Sequence, residues 1–257
     1  MNNLTISFIQ ADLAWENRDI NLKKFEYFFE KNSNTDIMIL PEMFNTGFSM
    51  NIEKTAEPFD GYTVEWMKKQ ATKYNFVLTG SITVVENNKY YNRFIAAYPD
   101  GKTVYYDKRH LFRMGQETDK FSVGSKNILF EVKGWKIRPL ICYDLRFPVW
   151  SRNTDNYDML IYVANWPKPR RKVWETLLKA RAIENQCYVV GVNRTGIDGN
   201  DLQYSGDSVI VDFKGNIITS LHENLENIVT FSVSLNELKQ FKEKFPVHLD
   251  ADDFTIM

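Results

Sequence analysis

Apolar positions along this chain follow two periods. Short runs rich in Val, Ile, Phe and Tyr recur from end to end, at residues 4–10, 36–40, 76–85, 94–98 and 102–107, then at 128–132, 136–142, 159–164, 188–194, 207–211, 216–220 and 228–233. Runs of that length and composition predict strands. Asp100-Gly101, Lys133-Gly134 and Lys214-Gly215 mark hairpin turns between some of them. Elsewhere the spacing becomes helical. Over 17–32, Leu22, Phe25, Phe28 and Phe29 share one face, and over 62–75 Val64, Met67 and Ala71 do the same. Over 170–186 the expected inner face is Val173, Leu177, Ala180 and Ile183. A shorter helix is expected after Pro148, closing at Asn153-Thr154. Ser234, three residues before Glu237, predicts a capped helix start.

Early β-α-β-α alternation that gives way to hairpins predicts an α/β fold with mixed sheets covered by helices. No Gly/Ser/Pro-rich linker or short-period repeat divides the chain, so one domain over 1–257 is expected. The 257 residues are 44% hydrophobic and 25% charged, an ordinary globular composition. The 32 basic and 33 acidic residues are interspersed, which gives no electrostatic case for nucleic acid or an anionic membrane. "MNNLTISFIQADLAW" lacks the basic start of a signal peptide, and runs such as "MLIYVA" are too short to span a bilayer. Two cysteines, Cys142 and Cys187, do not make a disulfide framework in a chain this long. A soluble, cytoplasmic protein is expected.

The pattern becomes unusual at "RPLICYDLRFPVW", where an apolar run delivers Cys142 and turns abruptly polar. Active sites of α/β folds gather beyond the carboxyl ends of strands, and backbone N–H groups at such a turn can stabilise a thiolate or an oxyanion. Position alone leaves Cys142 either a nucleophile or a small buried hydrophobe. Glu42 in "DIMILPEMFNTGFS" repeats the layout, as a base raised by burial or as a loop acid paired to a surface cation. Lys108 in "VYYDKRHLF" lies just past a third strand, where most lysines are solvated. Of the histidines, His222 and His248 read as surface residues, and His110 lies closer to the candidate site. Together, a thiol, a carboxylate and an ammonium supply a nucleophile, a base and an oxyanion clamp. No H-E-x-x-H, no G-x-S-x-G elbow, no Cys/His ligand cluster and no phosphate-cradling glycine loop appears.

With these residues in view, the chain resembles the nitrilase, or carbon–nitrogen hydrolase, superfamily, whose signature is a Glu-Lys-Cys triad. The resemblance rests on "LPEMFNTGF", "YDKRHLF", "ICYDLRFP" and "WETLLKARAIENQCYVVGVNRTG", in that order over nearly the whole chain. "CYDLRFP" together with "NWPKPRRKVWETLLKARAIENQ" is similar to the omega-amidase branch, which cleaves the terminal amide of 2-oxo acid amides. True nitrilases usually carry Trp-Glu after the cysteine, where this chain has Tyr143-Asp144, which disfavours a nitrile substrate. An N-carbamoyl amino acid hydrolase or a deaminated-glutathione amidase would use the same triad, and a non-catalytic member of the fold normally has a damaged one.

The resemblance implies a four-layer α-β-β-α sandwich of the nitrilase type. It implies Cys142 as nucleophile, Glu42 as base and acid, Lys108 and the Tyr143 backbone N–H at the oxyanion, and Glu117 in support. Phe48, Tyr143 and Trp166 would line the pocket, and Arg170 or Arg171 would meet a substrate carboxylate. Arg146 is expected to be structural, tied to an acid such as Asp144, and Cys187 to be inert packing. No metal or organic cofactor is implied. The implied partner is a small amide, with at least a homodimer formed through "FPVWSRN" and the helix around Trp174.

Overall fold

The computed structural model describes residues 3–256. Among these, two mixed sheets of seven and six strands carry the architecture. In the first, the spatial order is Asn227–Ser234, Asn3–Gln10, Ile37–Ile39, Val77–Glu86, Lys89–Ala97 and Thr103–Asp107, with Glu57–Pro58 paired onto Val77–Glu86. In the second, it is Ile217–Ser220, Val209–Val211, Tyr188–Asn193, Met159–Ala164, Trp135–Ile141 and Phe130–Val132. Each sheet is parallel at its centre and antiparallel at its flanks. A small hairpin, Thr195–Ile197 with Gln203–Ser205, stands apart from both.

The strand period of two decides which core each side chain enters. Ile37 and Ile39 join Leu4, Ile6, Phe8, Phe94 and Ala96 between the sheets, packed with Ile137, Leu140 and Ile161 of the second sheet. Met38 and Leu40 point the other way, into Leu22, Phe25 and Phe29 of the helix Arg18–Lys31 and Val64, Met67 and Ala71 of Tyr62–Tyr74. Burying each large apolar side chain stabilises the fold by about 1.5–3 kcal/mol. That is why parallel strands read as unbroken apolar runs. Helix Arg171–Asn185 covers the outer face of the second sheet, so the layers run helix, sheet, sheet, helix.

The buried face of that helix is one residue away from the expected one. Trp174, Leu178 and Ala182 are inside, whereas Ile183 is exposed. The reason is a close approach at Gly191, where an added Cβ would lie 2.5 Å from Leu178 and 2.8 Å from Trp174. The strand expected at 94–98 is longer, Lys89–Ala97. The Thr195–Ile197/Gln203–Ser205 hairpin had no expected counterpart, because its arms are only three residues each. Ser234 does cap its helix, accepting the Glu237 N–H. Among the described residues no helix is long and apolar enough to cross a membrane.

Candidate active site

Four strand ends meet at one place. Leu40, one residue past Ile37–Ile39, leads through Pro41 to Glu42, and Thr103–Asp107 leads to Lys108. Trp135–Ile141 delivers Cys142, and Met159–Ala164 delivers Asn165. Two of these turns use left-handed backbone at a non-glycine residue, Met43 at φ 45° and Cys142 at φ 45°. Such geometry costs of order 1–3 kcal/mol each and persists only where the surroundings hold it. Ser81 holds the first turn: its Oγ accepts the Met43 N–H at 3.0 Å and its carbonyl the Phe44 N–H at 3.1 Å.

Asp144 holds the second turn. Its fully buried carboxylate accepts from Ile141 N at 3.0 Å and Tyr106 Oη at 2.8 Å through one oxygen, and from His110 N at 2.9 Å through the other. The His110 Nδ1 lies 2.8 Å from that second oxygen, and its ring stacks on Phe147 at 3.8 Å. Asp144 therefore links the turn after Cys142 to the turn after Lys108. Arg181 adds a bond to Leu145 O at 2.7 Å.

Beneath the thiol lies a buried ionic cluster. Lys108 Nζ donates to Glu42 Oε1 at 2.9 Å and to both Glu117 oxygens at 3.0 and 2.9 Å, and none of the three residues reaches solvent. Asn92 Nδ2 donates to Glu42 at 2.8 Å and Glu117 at 3.2 Å. The other Glu42 oxygen accepts Asn165 N at 2.7 Å, while Asn165 Nδ2 reaches Glu42 O at 2.6 Å. Glu117 Oε2 also accepts Phe112 N at 2.6 Å. Cys142 Sγ sits 3.9 Å from Asn165 O. Gly124 lets the following loop press on Lys108: its N–H donates to Lys108 O at 2.9 Å, and a Cβ there would fall 1.9 Å from Asp107 O.

The charges follow from this packing. Burial raises the Cys142 thiol well above its ordinary value; Glu42 pushes it further up, and Lys108 opposes. Burial alone would lower Lys108, but the Glu117 and Glu42 carboxylates overrule it, so the ammonium is held above its ordinary value. Burial raises Glu117, against the pull of Lys108. These directions favour a neutral thiol and a charged ammonium side by side in the cluster.

Cys142 opens into a cavity of about 580 Å³. Phe48, Tyr143, Trp166 and Arg170 all line it, as does Arg146. Asp144 has no bond to Arg146, which corrects the expected pairing. The four donors just described already fill that carboxylate, and Arg146 instead lies with its guanidinium 5.3 Å over the Trp166 ring. Arg170 lies 5.3 Å over Phe112, and among the described residues neither arginine forms an ion pair. Arg171 points elsewhere, to Asp207 at 2.7 Å and to Glu223. The acids of the cavity are occupied: Glu16 by Ser49 and Lys54, Asp198 by the N–H groups of Asn200 and Leu202 and by Tyr204 Oη. Cys187 is fully buried in the core, and His222 and His248 are exposed.

Sequence reasoning missed Asn92, Asn165 and the Asp198–Tyr204 wall. Asn165 carries a legible signal, since "MLIYVA" delivers it as "MILP" delivers Glu42. Asn92 gives no such signal, because it lies in the polar stretch "NNKYYNR", two residues before the apolar run at 94–98. Among the described residues no group of three or more His, Cys, Asp or Glu could hold a metal ion.

The carbon–nitrogen hydrolase family model matches residues 5–243. The chain is 42% identical over 256 residues to omega-amidase YafV of Escherichia coli strain K12, covering 100% of both. It is 37% identical over 252 residues to the 2-oxoglutaramate amidase of Bacillus subtilis strain 168, covering 96% of each. The crystal structure of XC1258 from Xanthomonas campestris, a CN-hydrolase superfamily protein with an arsenic adduct in its active site, superposes with a TM-score of 0.97. It is 41% identical and covers 100% of both chains.

Proposed function

The chain belongs to the carbon–nitrogen hydrolase family, and on that premise we propose that it is an omega-amidase, hydrolysing the terminal amide of small 2-oxo acid amides such as 2-oxoglutaramate and 2-oxosuccinamate. The observation that carries the substrate class is the cavity above Cys142, with two arginines that form no ion pair among the described residues and with its acids already hydrogen-bonded. Such a cavity suits an anion, and a guanidinium fork matches a carboxylate in two bonds. The full-length likeness to an omega-amidase and to a 2-oxoglutaramate amidase points the same way.

In the reaction, Cys142 Sγ attacks the amide carbon as its proton passes to Glu42. Charge builds on the carbonyl oxygen, where Lys108 and the Tyr143 N–H stabilise it. Glu42 returns the proton to the nitrogen, ammonia leaves, and a thioester remains on Cys142. Glu42 then takes a proton from water, whose oxygen attacks the thioester carbon. The acid departs and the proton returns to sulfur. Glu117 keeps Lys108 in place, while Phe48, Tyr143 and Trp166 form the walls and Arg170 and Arg146 hold the carboxylate.

Pairing of two copies through the exposed Val149 and Ile183 is part of the same reading, as is residence in the cytoplasm. Light scattering of dilute protein tests the first, a monomer refuting it. The main test is ammonia release from both oxo-amides beside glutamine, a carbamoyl amino acid and a nitrile. Fast release from the oxo-amides alone supports the assignment. Turnover of another amide with silence on these discards it and keeps the thiol chemistry.

A further inference from the structure

Lys108 Nζ and Asn92 Nδ2 each donate to the same two carboxylate oxygens. Glu42 Oε1 accepts from the ammonium at 2.9 Å and from the amide at 2.8 Å. Glu117 Oε1 accepts from them at 3.0 and 3.2 Å. The four atoms close a loop of hydrogen bonds, and all four residues are excluded from solvent. We propose that Asn92 is a positioning residue for amide hydrolysis, holding the Glu42 and Glu117 carboxylates side by side and turned so that Glu42 can take the Cys142 proton. The inference rests on the reading of Cys142 as nucleophile and Glu42 as its base.

Charge accounting explains why an amide stands there. Two buried carboxylates share one ammonium, and like charges this close drive one carboxylate to take up a proton. A second donor between them opposes that. A second cation would also neutralise the cluster, whereas the Asn92 amide supplies two N–H bonds and leaves the charge unchanged. The orientation of the amide is not arbitrary. Turning it over would set its carbonyl oxygen against two carboxylate oxygens.

The position is also costly for the fold. Asn92 lies on the face of Lys89–Ala97 that carries Phe94 and Ala96 into the space between the sheets. Asn is poorly suited to strands, and its Oδ1 is buried with no hydrogen-bond partner among the described residues. Residues that break a local rule in this way gather at functional sites. The backbone of Asn92 adds a further constraint, since its carbonyl accepts the Lys108 N–H at 3.0 Å. One residue therefore orients both carboxylates and the start of the lysine that joins them.

The test compares wild type with Asn92→Leu, similar in size with no donor, and Asn92→Thr, which keeps one donor. Alkylation of Cys142 by iodoacetamide is followed by mass spectrometry across pH, a readout that does not depend on the physiological substrate; buried Cys187 is the internal control. Asn92→Leu should slow alkylation near neutral pH by about tenfold to a hundredfold and move the acid limb of the profile to higher pH. Asn92→Thr should fall between, with both variants folded at 25 °C by circular dichroism. Superimposable profiles overturn the proposal, as does slower alkylation with an unmoved acid limb. Failure of both variants to fold overturns it too, because the loop would then serve stability alone. A wild type that alkylates as expected but ignores 2-oxo acid amides defeats the substrate assignment and leaves this inference standing.

Discussion

Lys108 Nζ donates to Glu42 Oε1 at 2.9 Å although neither side chain reaches solvent, and the two residues stand 66 positions apart in the chain. Glu117 completes the cluster. Removing one partner of a buried ion pair leaves an uncompensated charge and typically costs 3–5 kcal/mol.

Lys108→Met should therefore destabilise the protein by about 3–5 kcal/mol in urea denaturation, besides abolishing turnover. Because the folded state raises Lys108, its contribution to stability is whole below the ordinary lysine value and is lost as pH rises through the folded value. The gap between wild type and Lys108→Met should then narrow at strongly alkaline pH. A pH-independent gap would refute this account.

Cys142→Ala removes no charge, and the thiol is small. It should fold and melt close to wild type while releasing no ammonia above background. Glu42→Gln keeps the shape but removes the proposed proton acceptor, so kcat should fall by at least about a hundredfold. Residual amidase activity in Cys142→Ala would remove the sulfur from the mechanism.

Burial beside Glu42 raises the Cys142 thiol, so the free enzyme holds a thiol and not a preformed thiolate. The sign is that of a proton bound more tightly in the folded state. Absorbance at 240 nm, compared with Cys142→Ala, should show no thiolate from about pH 6 to 9. A thiolate band in that range would mean that Lys108 outweighs burial and Glu42.

Arg170→Leu and Arg146→Leu should each raise KM for 2-oxoglutaramate by about tenfold to a hundredfold, the loss of a hydrogen bond to a charged group. The kcat on a small neutral amide should stay within about threefold. An unchanged KM in both variants would place the substrate carboxylate elsewhere in the cavity.

The chain carries much of this locally. Apolar runs ending at Leu40, Ile141 and Ala164 announce strands, and strand ends are where an α/β fold presents its chemistry. Glu42, Cys142 and Lys108 were legible because each breaks its run with a functional group at the point of exit. The helix faces of 17–32 and 62–75 were legible because a period of 3.6 is a property of the helix alone.

What tertiary structure decided lies between segments distant in sequence. The inner face of Arg171–Asn185 depends on Gly191 across the layer, and no helical period contains that glycine. Asp144 is satisfied by Tyr106 and His110, which left Arg146 free for the cavity despite its nearness to Asp144 in the chain. Asn92 is unremarkable in its strand until Glu42 and Glu117 fold against it. Periodicity is short-range and survives in a linear reading. The partners of a buried polar group are chosen by packing, because a buried charge binds whatever donors the fold brings within about 3 Å.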